Sequence, residues 1–120
     1  MTTERRAVGA YGERLAERHL RDQGLVVLAR NWRCSDGEVD LILRDGEDVV
    51  FCEVKTRRGT AFGSPAEAVT VTKQRRIRTL AMRWLDEHPE ARARTVRFDV
   101  ASVLAERGTA PIIDVIEAAF

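Results

Sequence analysis

The chain has 120 residues, enough for a single domain over 1–120, and a formal net charge of +1. This charge neither indicates nor excludes a nucleic-acid partner, because local charge patterns matter more than the total. No run approaches the roughly 18 apolar residues of a membrane span, and the first residues lack the apolar segment of an export signal, so we expect a soluble, cytoplasmic protein.

Hydrophobic periodicity predicts a first helix over residues 3–23. Thr3 can cap its start, and Gly24 can end it in a left-handed conformation. Residues 25–32 predict a strand, and its continuous apolar start favours burial on both faces. A loop over 31–37 is expected to follow.

Residues 37–58, GEVDLILRDGEDVVFCEVKTRR, predict a β-hairpin with strands over 38–44 and 48–56 and a turn at Asp45-Gly46. Because side chains alternate across a strand, one face is predicted to be wholly apolar. That face contains Val39, Leu41 and Leu43 from the first strand and Val50, Cys52 and Val54 from the second. The other face is charged at the end far from the turn, where it carries Glu38, Asp40, Glu53 and Lys55.

The length of the turn decides whether the two acidic strand ends meet. A two-residue loop would set Glu38 opposite Glu53, and a four-residue loop would set Asp40 opposite Glu53. A regular three-residue loop would turn Asp40 to the face opposite Glu53, since a slip of one residue turns every side chain over. A shared site therefore requires an even loop or a compensating bulge.

The second half of the chain predicts one more helix and two more strands. Residues 58–69 contain Gly and Pro and read as a loop. A helix is predicted over 71–88, capped by Thr70 and stopped by Pro89. Strands over 95–104 and 111–117 complete the order α-β-β-β-α-β-β, which predicts an α/β fold with a mixed sheet flanked by helices.

Carboxylates on neighbouring strands lie within roughly 4.5 to 8 Å of each other at Cβ and repel unless a positive charge separates them. A hard cation such as Mg²⁺ suits Asp40 and Glu53, because it binds oxygen ligands and commonly takes one or two carboxylates. Lys55 could then activate a water or neutralise a phosphate. The alternative is a solvated strand end with ordinary surface charges, and the spacing of these three residues leaves both interpretations open.

Longer segments give a resemblance that covers nearly the whole chain. The order Asp40, Glu53-Val54-Lys55 resembles the PD-(D/E)xK nuclease superfamily, which includes restriction endonucleases and Holliday-junction resolvases. The chain as a whole looks like the YraN-type family of small bacterial proteins. The matching segments are Gly9-x-x-Gly12-Glu13, Arg30-Asn31-Trp32-Arg33, Gly37-Glu38-Val39-Asp40-Leu41-Ile42, Phe51-x-Glu53-Val54-Lys55-Thr56-Arg57, Phe62-Gly63, Arg76-Ile77, Arg97-Phe98-Asp99-Val100 and Ala119-Phe120.

The superfamily resemblance implies a restriction-endonuclease-like sheet that carries a Mg²⁺- or Mn²⁺-dependent endonuclease site. It implies Glu13, Asp40 and Glu53 as metal ligands, the Val54 carbonyl as a further ligand and Lys55 as the catalytic lysine. Gly9 and Gly12 would let the first helix approach the sheet closely. The implied substrate is nucleic acid, DNA rather than RNA, including branched DNA of recombination and repair. A homodimer is compatible with it, because junction-cleaving members are commonly dimers.

Four basic residues are candidates for holding the phosphate backbone: Arg57, Arg58, Lys73 and Arg76. Lys73 interrupts the apolar stripe of its helix, and it could reach the acidic cluster, reach a phosphate or extend to solvent. Glu38 is either a water-bridged ligand or the partner of a nearby arginine. Asp99 is expected on the polar side of its strand, in a structural pair with Arg97 or another arginine and not on a metal. A non-catalytic module that keeps the nuclease fold and binds nucleic acid or protein is the second hypothesis.

Overall fold

A computed structural model describes the chain over residues 3–59 and 69–120. The described elements follow the predicted order, with a short 3-10 turn at Pro89–Ala91 in addition. They are α1 (Thr3–Asp22), β1 (Val26–Cys34), β2 (Gly37–Asp45), β3 (Asp48–Arg57), α2 (Val71–Glu87), β4 (Thr95–Leu104) and β5 (Ile112–Ile116). Most of the loop predicted over 58–69 lies outside the described residues.

The five strands form one mixed sheet in the order β1-β2-β3-β4-β5. Only β3 and β4 run parallel, since α2 lies between them in the chain and returns it to the same end of the sheet. The other neighbouring strands pair antiparallel. The α/β fold class, with a mixed sheet flanked by helices, is thereby confirmed.

The two helices cover opposite faces of the sheet. Ala16 and Leu20 of α1 pack in a cluster with Leu41, Val50 and other strand residues. Ile77 and Trp84 of α2 pack in a second cluster that includes Ile42, Phe51 and Phe98. The central strands are therefore covered on both faces, which explains their nearly continuous apolar sequence.

Two expectations for β1 are wrong. Val26 is 58% exposed and Leu28 is 37% exposed, because β1 is an edge strand and Leu28 falls in a bulge between Val27 and Ala29. The same run of apolar residues can form an edge strand or a central strand, so the sequence does not distinguish the two positions. The predicted loop over 31–37 is mostly strand, since pairing with β2 extends to Cys34 opposite Gly37.

The β2–β3 turn has the register that a four-residue loop predicts. Arg44 pairs with Val49, and Asp45 pairs with Asp48 across the tip at Gly46 and Glu47. Gly46 has a φ of +62°, which suits a tight hairpin turn. Continuing this register sets Asp40 opposite Glu53.

Two side chains depart from the predicted faces. Val39 packs with the α2 cluster and not with Leu41 and Leu43, so the regular alternation of β2 is interrupted between Val39 and Leu41. Asp99 is buried, with only 1% of its surface exposed, because β4 is a central strand. The expected partner of Asp99 is confirmed, since Arg97 Nε donates to its Oδ1 at 2.9 Å.

Candidate active site

The acidic end of the hairpin lies where β2 and β3 separate. Leu41 and Cys52 form the last pair of that ladder, and Asp40 and Glu53 come next on the two strands. The carboxylate of Asp40 then replaces a strand carbonyl, because its Oδ2 accepts the Val54 N–H at 2.8 Å. The backbone of β3 thus fixes Asp40 beside Glu53.

Asp40 lies in a strongly acidic setting. Burial and the neighbouring charge of Glu53 raise the pKa of Asp40 to about 7, and the charges of Glu13 and Glu38 add to the rise. The hydrogen bond from Val54 opposes these effects but does not cancel them. Near neutral pH the group is therefore poised between its two forms, and a cation would favour the carboxylate.

Both lysines of the chain form ion pairs with Glu53. Lys73 Nζ lies 3.0 Å from Glu53 Oε1, and Lys55 Nζ lies 3.8 Å from the same oxygen. Lys55 follows Glu53 by two residues on β3, so the pleat turns both side chains to one face. Lys73 comes from the first turn of α2, where its backbone N–H donates to the capping Thr70 Oγ1 at 3.2 Å.

The two lysines differ in how firmly they hold their protons. Burial, then the hydrogen bond and charge of Lys73, lower the pKa of Lys55. Burial also works to lower the pKa of Lys73, but its hydrogen bond with Lys55 and the charge of Glu53 outweigh burial and raise that pKa. The setting of Lys55 thus favours its neutral form more than water would.

Asn31 joins two further acids to this site and was not singled out by the sequence reasoning. Its Nδ2 donates to Glu13 Oε2 at 2.8 Å and lies 3.1 Å from Glu38 Oε1. Glu38 also lies 3.5 Å from Arg33 Nε, so it has the arginine partner that one interpretation expected. Asn31 could have been found as an asparagine, a residue type that tolerates a left-handed backbone. In the β1–β2 register it lies opposite Asp40.

Gly12 brings α1 close to the strand that carries Lys55. A Cβ added to Gly12 would lie 1.8 Å from Thr56 Oγ1, so a side chain there would collide with β3. The expected close approach at Gly12 is confirmed. The same expectation for Gly9 is wrong, since a Cβ there would meet no atom of the described residues within 4 Å.

A cleft of about 1240 Å³ opens over these acids. The acids Glu13, Glu38, Asp40 and Glu53 all line it, together with Asn31 and Val54. Its basic lining residues are Arg6, Arg33 and Arg58. Of the predicted phosphate-binding residues, Arg58 lines the cleft and Lys73 contacts Glu53, whereas the Arg76 side chain lies beside Gly37.

The chemistry of the cleft fits a hard divalent cation, since its four acidic lining residues, Glu13, Glu38, Asp40 and Glu53, offer only oxygen donors. Within residues 3–59 and 69–120, no three His, Cys, Asp or Glu side chains already stand in a metal-holding group. Each acid has a protein partner instead: Asn31 for Glu13, Val54 for Asp40 and Lys73 for Glu53. A bound cation would exchange some of these partners.

Structural comparison finds a distant similarity. The structure of Pyrococcus furiosus SfsA in complex with Ca²⁺ superposes with a TM-score of 0.38 at 16% identity. The match covers 90% of this chain and 62% of that one, and it is too weak to transfer any property.

Among the described residues, no helix is long and apolar enough to cross a membrane.

Sequence comparison gives close relatives of almost full length. The chain is 55% identical to a UPF0102 protein of Nocardia farcinica over 98% of its own length and 91% of the relative. It is 58% identical to one of Beutenbergia cavernae, with 90% and 91% covered, and 62% identical to one of Frankia alni, with 81% and 80% covered. The model of uncharacterised protein family UPF0102 matches residues 12–103. The chain therefore belongs to family UPF0102, which confirms the YraN-type resemblance of its sequence.

Proposed function

We propose that this protein is a divalent-metal-dependent nuclease that hydrolyses phosphodiester bonds in nucleic acid. The supporting observation is the meeting of Asp40 and Glu53 in one cleft, where β2 and β3 separate, with Lys55 Nζ 3.8 Å from Glu53. Paired carboxylates next to a lysine of lowered pKa are suited to phosphoryl chemistry.

In this proposal Glu13, Asp40 and Glu53 hold Mg²⁺ or Mn²⁺. The bound metal would supply Lewis-acid stabilisation of the charge that develops on the phosphate oxygens. Lys55 orients the attacking water and accepts its proton, for which its lowered pKa suits it. Asp40 stays ionised once a cation offsets the charge of Glu53.

The arginines of the cleft indicate where a substrate would lie. Arg6, Arg33 and Arg58 line the same cleft as the acids, and guanidinium groups bind phosphate oxygens well. We propose DNA over RNA, with branched recombination or repair DNA as the first substrates to test and the cytoplasm as the site of action. This choice rests on the superfamily resemblance.

A second candidate is a non-catalytic module that binds nucleic acid or a protein. The observation that favours it is the set of protein partners already held by Glu13, Asp40 and Glu53 among the described residues. In that case the acids and lysines serve mainly to neutralise one another.

Calorimetry with Mn²⁺ followed by cleavage assays separates these candidates. The proteins are wild type, the double variant Asp40→Asn/Glu53→Gln, and a control with the exposed pair Asp86→Asn/Glu87→Gln. The substrates are end-labelled four-way, flapped and linear DNA. We expect metal binding and cleavage in wild type and control, and loss of both in the site variant, which should still unfold in one cooperative urea transition.

Cleavage that survives in the site variant would contradict the proposed nuclease site. DNA bound but never cut, with Mn²⁺ present and all three proteins folded, would favour the non-catalytic module.

A further inference from the structure

We propose that Lys73 is an internal counter-cation that holds Glu53 while the metal is absent and leaves it when the metal binds. This inference rests on the proposed metal-dependent function and adds a positioning residue to it. Lys73 would then alternate between Glu53 and the phosphate of a bound substrate.

The contact between Lys73 and Glu53 is the closest ion pair of the site. Lys73 Nζ lies 3.0 Å from Glu53 Oε1, and the Glu53 side chain is only 9% exposed. A carboxylate so deeply placed needs a positive partner, because burial penalises an unpaired charge. In the absence of metal, Lys73 fills this requirement.

A metal and the Lys73 ammonium compete for the same oxygen. Mg²⁺ binds its oxygen ligands at about 2.0 to 2.1 Å, so a metal on Glu53 Oε1 would lie close to Lys73 Nζ. Two positive charges at such a separation repel, and the burial of Glu53 strengthens the repulsion. The ammonium group must therefore leave that oxygen or weaken metal binding.

Lys73 is better placed to leave than Lys55. Lys55 belongs to the same strand as Glu53 and is paired with β4 through Ser102, so its backbone is fixed next to the acid. Lys73 projects from the first turn of α2 on a flexible four-carbon stem, and 35% of its side chain is exposed. The first turn of α2 contains no acidic residue that could capture the released ammonium.

The rest of α2 need not move. Ile77, Leu80 and Trp84 anchor the helix in the core below the first turn. Thr70 accepts the backbone N–H of Lys73, so the cap holds the main chain and leaves the side chain to rotate. The exchange is thus confined to one side chain.

The chain contains only two lysines, which makes the exchange directly visible by NMR. Protein labelled with [ε-¹³C]lysine gives two εCH₂ signals, and Lys73→Met assigns them. On Mg²⁺ titration we expect the Lys73 signal to move to the position of a free lysine and to gain fast motion. Calorimetry on Lys73→Met should show Mn²⁺ binding about tenfold tighter than in wild type, after allowance for solvent screening.

Arg83→Met is the matched control, since it removes one positive charge from α2 at a site paired with Asp36 and away from Glu53. Its Mn²⁺ affinity should equal that of wild type. Metal binding with an unmoved Lys73 signal, or with equal affinity in Lys73→Met and wild type, would overturn this inference alone. Absence of metal binding in wild type and Lys73→Met alike would overturn it together with the proposed metal site.

Discussion

Asp40 Oδ2 accepts the backbone N–H of Val54 at 2.8 Å, directly after the last β2–β3 ladder pair. The carboxylate therefore accepts a hydrogen bond in the sheet as a backbone carbonyl would, and this bond fixes it in the lining of the cleft. This bond orients Asp40 whether or not the group is ionised, because an ionised or neutral carboxyl can accept one N–H.

The raised pKa of Asp40 predicts a stability that depends on pH in metal-free protein. The pKa rises from an ordinary 3.8 to about 7 in the folded state, so the folded state binds the extra proton between these values. This contribution is fully present below pH 4 and is lost as pH rises through 7. Asp40→Asn, which can still accept the Val54 N–H, should remove the loss and stabilise the protein above pH 7 by up to about 4 kcal/mol.

Urea unfolding in the presence of a chelator, at pH 5 and pH 8.5, measures this difference. The exposed Asp86→Asn serves as control and should change stability equally at both values. A wild type that gains stability relative to Asp40→Asn as the pH rises would contradict the assigned environment of Asp40.

Glycine at position 12 predicts a matched pair of alanine substitutions on α1. Gly12→Ala places a Cβ on Thr56 Oγ1, so we expect it to destabilise the protein by about 1 to 3 kcal/mol. Gly9→Ala meets no atom of residues 3–59 and 69–120 within 4 Å and lies in the same helix, so it should stabilise by up to about 1 kcal/mol. Equal effects of the two changes on the urea midpoint would show that α1 does not approach β3 at Gly12.

Asn31 combines a backbone role with a side-chain role, and two substitutions separate them. Asn31→Gly keeps the left-handed backbone but removes the amide that joins Glu13 and Glu38. Asn31→Ala removes the amide and also strains the backbone, so it should be less stable than Asn31→Gly by about 1 kcal/mol. Both should weaken Mn²⁺ binding equally, which calorimetry can check. If Mn²⁺ affinity instead falls further in the less stable variant, Asn31 has a purely structural role.

Arg58 lines the cleft and predicts one phosphate contact. Arg58→Ala should weaken the binding of all DNA sequences alike and lower the slope of log affinity against log salt by about 1. Fluorescence anisotropy with labelled DNA at several salt concentrations gives the slope. The control Arg83→Ala, on a residue paired with Asp36, should leave it unchanged. An unchanged slope in Arg58→Ala would place the nucleic acid elsewhere.

Local signals predicted most of the elements because they depend on neighbours in the chain. Thr70 caps α2 and accepts the Lys73 N–H, and Gly24 follows α1 with a φ of +95°. The even loop at Gly46 and Glu47 brought the acidic strand ends to one place, as the hairpin pattern required. The cap and the glycine that follows α1 depend on residue type and spacing alone, whereas the sequence left the length of the hairpin loop open.

The remaining features depend on tertiary context. The exposure of Val26 follows from the place of β1 at the sheet edge, which an apolar run does not encode. The packing of Val39 against the α2 cluster interrupts the alternation of β2, which a period-two pattern does not encode. The reach of Lys73 to Glu53 depends on how α2 lies across the sheet, so the sequence left three alternatives for it.

The parallel pairing of β3 with β4 has a consequence for the order of folding. The β2–β3 hairpin is local in sequence, and hairpins of this kind form within microseconds. The β3–β4 pair joins Asp48 to Thr95 and must wait for closure of a long crossover, which slows folding. We therefore expect Asp40 and Glu53 to come together early, before Lys73 reaches them. The folding rate should accordingly rise at low pH or on addition of a divalent cation, either of which relieves the repulsion between the two nascent carboxylates.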